Sequence, residues 1–229
     1  METQTMNSRW TCPLIIILVL GSLWGFSEMV LGSAIRAAGL PFRAGILTGI
    51  GMGLLAIALG ASRRSLWLPG IALLAALCHQ LAVPILHVSF MCRANSFLAV
   101  LLEGAALAGV ALLVGRRLER GVPIQAASGA TAALLAAGAF YFLGLRLAPC
   151  QYLLSFNRPG GLLAFMGAEG LIWAAFSALL VPVGYRIGTQ LAASFRNAGQ
   201  RKPTLYYLTS AVIVILCWAA SALVIAAGA

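Results

Sequence analysis

A chain of 229 residues that is 62% hydrophobic and only 9% charged, with mean hydropathy +0.99, has too little polar surface to cover a soluble globule. The same figures exclude a disordered chain, a disulfide-stapled secreted module and a coiled coil, each of which needs far more polar sequence. The net charge of +10 comes from fifteen basic residues scattered between apolar stretches rather than gathered on one patch, so they read as topology markers and not as a nucleic-acid footprint.

Seven stretches, 14-35, 44-61, 66-88, 97-115, 124-145, 162-185 and 205-227, reach or approach the roughly 20 apolar residues needed to cross a bilayer. Long uninterrupted runs predict helices rather than barrel strands, which would alternate over about ten residues. The expected fold is therefore all-α, a polytopic transmembrane bundle forming a single integral membrane domain over 1-229. A cleaved signal peptide fits the first run poorly, because its apolar part is too long and contains Glu28.

Basic residues set the orientation. The tail, 62-65, 116-123 and 186-204 carry ten: Arg9, Arg63, Arg64, Arg116, Arg117, Arg120, Arg186, Arg196, Arg201 and Lys202. The opposite side carries five: Arg36, Arg43, Arg93, Arg146 and Arg158. The imbalance puts the N-terminus in the cytoplasm and, after seven spans, the C-terminus outside, in a plasma (inner) membrane. A re-entrant 44-61 would invert everything after it.

The predicted spans contain no Lys, Arg or Asp, yet they hold Glu28, Glu103 and Glu169, three of the chain's five acids. A charge at a span centre costs about 2.5–3.5 kcal/mol on insertion scales, so this segregation asks for a function. At 1.5 Å of rise per residue, all three fall at about 10 Å below the outer boundary. On the first span Gly21, Trp24, Gly25, Glu28 and Gly32 share a face, and on the sixth Phe165, Glu169, Trp173 and Phe176 do. Since the two spans run in opposite directions, Trp24 and Trp173 each lie one turn deeper than their glutamate. Carboxylates over indoles suit a cation or a cationic heteroaromatic.

His79 and Gln80 join this set as candidate contacts, because Pro84 should bend the third span and release the carbonyl of Gln80, whereas His87 reads as a boundary residue. A simple metal site would draw on Glu28, Glu103, Glu169 and His79. No Glu-x-x-His pair, P-loop or hydrolytic triad is present, so an enzyme is not expected and no cofactor is implied. Cys12, Cys78 and Cys217 fall in or beside spans as small apolar residues, whereas Cys92 and Cys150 fall on the same outer face and are candidates for a bridge.

Gly45, Gly49, Gly53 and Gly60 form a stripe on the second span, suited to packing within the bundle or against a separate subunit. The connection 146-161 is long and moderately apolar, a possible lid over the mouth, and the basic groups of 186-202 suit anionic headgroups.

The short Arg-containing N-terminus, the first-span sequence Gly-Ser-Leu-Trp-Gly-Phe-Ser-Glu-Met-Val-Leu-Gly (21-32) and Glu103 within Leu-Leu-Glu-Gly resemble the substrate-binding S components of energy-coupling factor transporters over roughly 14-190. The resemblance implies capture of a vitamin, a precursor or a metal ion from outside, with a transmembrane coupling subunit and cytoplasmic ATPases as partners. It departs in two places: the family usually has six spans, which makes 205-227 an addition, and its Ala-x-x-x-Ala contact motif is replaced by Gly21 and Gly25. Nor is there the N-terminal histidine arrangement of its nickel and cobalt members. Two other readings stay open: a stand-alone proton- or cation-coupled carrier, and an anchoring or assembly subunit in which the glutamates meet arginines of partner chains.

Overall fold

A computed structural model of the chain describes residues 3–87, 91–201 and 203–227, with side chains described for 14–87, 93–193 and 203–227. Among the described residues there is no strand. Among the described residues, seven helices are long and apolar enough to cross a membrane: α1 (Leu14–Ala37), α2 (Arg43–Ser62), α3 (Ser65–Leu86), α4 (Arg93–Arg120), α5 (Val122–Leu147), α6 (Gly161–Ala193) and α7 (Pro203–Ala226). Because backbone groups in hydrocarbon must pair within their own segment, apolar runs of this length leave helix as the available state.

The helices outrun the hydropathy in two places. α4 takes in Arg93 at its start and ends in a tight 3-10 stretch, Gly115–Arg120. The helix of α6 runs on to Arg201, sixteen residues beyond the expected 185, since loss of apolarity ends a membrane span but not a helix. Pro69 opens the α-helical part of α3, which follows the 3-10 turn Ser65–Trp67, and Pro123 sits in the first turn of α5, positions where a missing amide costs nothing.

Small residues bring the helices together. α2 and α6 meet along the whole glycine stripe: a Cβ at Gly45 would strike Ile172, at Gly49 Phe176, and at Gly60 the carbonyl of Tyr185. The fit is reciprocal, because a Cβ at Gly184 or Gly188 would enter the backbone of Gly53 or Ile57. The stripe thus packs inside the bundle and is not left for a separate subunit. α1 closes on α3 in the same way, with Gly21 against Ile71 and Leu74 and Gly25 against Cys78 and Ala75. Gly21 and Gly25 are therefore covered by the chain's own third span.

α7 leans on α1 and the end of α3. Trp218 Nε1 donates to Ser22 Oγ at 3.0 Å, and Ile225 packs with Met29 and Ala82. At the opposite end from these apolar contacts, Arg63 pairs with Glu119 at 3.0 Å, an exposed bridge that contributes little.

Candidate functional site

The three intramembrane glutamates come together. Glu28 from α1, Glu103 from α4 and Glu169 from α6 line a cavity of about 490 Å³, which Arg43, Thr48, Asn95, Ser96 and Tyr152 also line. Aromatic wall is supplied by Phe42, Phe140, Phe165 and Trp173. All these residues lie at the end of the bundle where α1 and α5 finish and where α2, α4 and α6 begin. That is the end predicted to face outward.

Local backbone prepares two of the carboxylates. Glu28 sits in a π-helical turn, Ser27–Leu31, where the Gly32 amide bonds to the carbonyl of Ser27 five residues back. Glu169 sits in a second such turn, Met166–Gly170, closed by the Leu171 amide on the carbonyl of Met166. A π turn inserts an extra residue into the helix and re-aims the side chains on it, and such turns concentrate at functional sites. Nothing in hydropathy or spacing announces them.

Each of these glutamates is held by an indole. Trp24 Nε1 donates to Glu28 Oε1 at 3.2 Å, and Trp173 Nε1 donates to Glu169 Oε2 at 3.2 Å. The pairs expected from four-residue spacing exist, but the contact runs through the ring edge and not over the ring face. Trp24 is 0% exposed and stands behind Glu28, off the cavity wall, so it positions the carboxylate and offers no face to a solute. Trp173 does reach the wall and packs against Phe140 with ring centroids 6.0 Å apart.

Partners are distributed unevenly among the six carboxylate oxygens. Glu169 has both satisfied, since Tyr152 Oη donates to Oε1 at 2.6 Å. Glu103 is 3% exposed, its Oε1 accepts from Thr48 Oγ1 at 2.9 Å, and its Oε2 is buried with no partner. A buried oxygen left without a donor costs about 1–3 kcal/mol or more for a charged group, which makes it a place for a ligand's donor.

His79 and Gln80 fall outside the cavity wall. His79 is buried behind Glu28, with Nε2 at 3.9 Å from Oε2 and neither ring nitrogen hydrogen-bonded. The helix does break ahead of Pro84, after His79, but the Gln80 carbonyl is not released: it accepts from Val83 N at 3.0 Å, because the chain tightens into an i+3 turn before resuming at Ala82–Leu86. His87, exposed and in a left-handed conformation at φ 51°, ends that helix and takes no part in the site.

The metal reading loses its geometry. Among the described residues, no group of three His, Cys or acidic side chains is arranged to hold an ion. Both oxygens of Glu169 are taken by phenol and indole, and His79 approaches Glu28 from behind. Cys150 carries a free thiol whose sulfur accepts from Asn95 Nδ2 and from the Leu153 amide. The side chain of Cys92, its expected partner, lies outside the described residues.

The 146-161 connection is built into the site. Leu153 is fully buried against Gly144, and Tyr141 Oη donates to the Phe156 carbonyl at 3.0 Å. These anchors carry Tyr152 over the cavity to Glu169. Burial, then the hydrogen bond from this phenol to Glu169 and that residue's charge, push the Tyr152 hydroxyl up from its ordinary value of 10.0, so it stays a donor.

Sequence reasoning missed Arg43, Thr48, Asn95 and Tyr152. By sequence Arg43 reads as a topology marker alone; the signal available is its place one residue before the second span. Comparison of the chain with family models, with curated proteins and with solved structures returns no match.

Proposed function

We propose that this membrane protein captures a small cationic or heteroaromatic solute from the outer side and holds it on Glu28, Glu103 and Glu169. The observation that carries the reading is the buried, unpartnered Oε2 of Glu103 on the wall of a cavity that two further carboxylates share. Three acids set at one depth in separate spans cost more than assembly needs, and a cation entering among them offsets that cost. Phe140, Phe165 and Trp173 provide apolar and π surface for the rest of the solute.

Orientation belongs to the same proposal. Ten basic residues against five place the N-terminus in the cytoplasm and the C-terminus outside, which opens the cavity to the exterior of a plasma membrane. As the resemblance to S components implies, passage onward would depend on a coupling subunit and cytoplasmic ATPases.

The test is thermal stabilisation of the purified protein in nanodiscs by a panel of amines, vitamins, vitamin precursors and divalent ions. A solute that stabilises the wild type and not Glu103→Gln supports capture; stabilisation that is equal in both proteins overturns the site.

One observation favours a second reading. His79 Nε2 lies 3.9 Å from Glu28 Oε2 with neither ring nitrogen hydrogen-bonded, an arrangement suited to passing a proton away from the cavity in a carrier that works alone. Solute uptake into liposomes that hold only this chain, abolished by His79→Phe, would select it.

A further inference from the structure

The cavity wall holds charges of both signs that do not pair with each other. Alongside the three glutamates stands Arg43, and among the described residues no ion pair within 4.0 Å joins its guanidinium to any carboxylate. Its Nε is buried and has no hydrogen-bond partner. A counter-ion placed only to neutralise the acids would touch one of them. Arg43 does not.

Its position is defined by a neighbouring glycine. A Cβ at Gly32 would lie 3.3 Å from one terminal nitrogen of Arg43 and 3.7 Å from Nε, so the guanidinium rests over Gly32. Gly32 is one helical turn beyond Glu28 toward the end of α1, an axial offset of about 6 Å at 1.5 Å per residue. The cavity is thus negative at the level of the carboxylates and positive one turn closer to its mouth. Arg36, Arg93, Arg146 and Arg158 belong to the same end of the bundle, where, among the described residues, the only acids are those of the cavity. A bare cation approaching from that side meets repulsion before it meets Glu28.

We infer that the solute is a zwitterion, with a basic nitrogen seated among Glu28 and Glu103, an apolar or aromatic middle against Phe140 and Trp173, and a carboxylate or phosphate on Arg43. This rests on the capture reading and narrows it, since a solute of that kind satisfies the unpartnered oxygen of Glu103 and the unpartnered Nε of Arg43 together. A guanidinium suits the task because its planar fork matches the oxygens of either anion.

Three matched probes separate the possibilities: 4-(aminomethyl)benzoate, benzylamine and benzoate, each titrated against the full-length protein in nanodiscs. Wild type should bind the zwitterion at least about tenfold tighter than benzylamine, with benzoate weakest, as expected for one charge-assisted contact. In Arg43→Gln that advantage should shrink to less than about threefold, with benzylamine bound no more weakly than by wild type because a repelling positive neighbour is gone, and an unchanged melting temperature shows that the variant is folded. Equal binding of benzylamine and the zwitterion by wild type, or an advantage unchanged in Arg43→Gln, would overturn the zwitterion and leave capture of a cation standing. Failure of all three probes to bind would overturn this inference and the capture reading together.

Discussion

At the scale of single residues, the three glutamates are not equivalent, and the difference predicts what each substitution does. Glu103 has one oxygen on Thr48 and one on nothing, so an amide there takes away a buried carboxyl that the protein itself does not satisfy. Glu103→Gln should therefore melt no lower than wild type in differential scanning fluorimetry, while solute affinity falls by about tenfold or more. Glu169 is the reverse case, with Tyr152 and Trp173 on its two oxygens. Tyr152→Phe should speed ligand release by loosening the 146-161 connection. A spectrophotometric titration gives the independent check, because the Tyr152 phenol is raised: the wild type should show one more tyrosine than the variant still protonated above pH 10.0. The sign follows from the folded state holding this proton more tightly than the unfolded chain. Stability from the contact is complete below the ordinary phenol value and is lost as pH rises toward the folded one. Depth arithmetic made the three acids legible in the sequence, because in a bilayer an ionisable side chain is conspicuous against its surroundings. Arg43, Thr48 and Tyr152 were not legible, since an arginine at a span end, a threonine in an apolar run and a tyrosine in a connection are ordinary there, and only the packing turns them inward.

At the scale of the helices, close approach is what aims the site. The indole of Trp24 occupies the space that a Cβ at Gly51 would need, so the α2 glycine lets α1 keep Trp24 on Glu28. Gly51→Ala should push that ring aside, costing about 1–3 kcal/mol by overpacking and weakening solute binding although residue 51 touches no solute. Gly138→Ala is the matched control: its Cβ meets nothing within 4 Å, so the same change should leave binding alone and hold or raise the melting temperature by restricting the unfolded chain. Melting and binding measured on the two variants decide the matter. The seven helices were legible because hydrophobic length alone specifies them. The π turns around Glu28 and Glu169 were not, because an extra residue in a helix leaves the composition unchanged and shows only when the amide of Gly32 or Leu171 reaches back five residues. Pro84 was read correctly as a break and wrongly as a source of a free carbonyl, since the local turn to Val83 absorbs it.

At the scale of the whole molecule, the charge count and the cavity together make one statement about direction. The count uses basic residues between spans or at their ends, ten on one side and five on the other. The cavity lies at the end carrying five and shares only Arg43 with that count. Capture from outside requires the two to agree with the membrane as it exists in the cell. Cysteine labelling tests this without any ligand: in a background lacking the native cysteines, a thiol replacing Arg158, exposed at the cavity end, should react with a membrane-impermeant maleimide on intact cells. A thiol replacing Arg117, exposed at the other end in the 3-10 stretch that closes α4, should react only after permeabilisation. The opposite pattern would turn the cavity toward the cytoplasm. It would also put the larger share of arginine on the outer face, so capture from outside and the reading of basic residues as topology markers would fail together. Labelling of both sites on intact cells would mean that the chain inserts in two orientations, which its small charge difference per loop opposes only weakly. Adding two lysines beside Arg63 should then restore a single orientation, because the positive-inside preference scales with the basic residues held in short loops near the span ends.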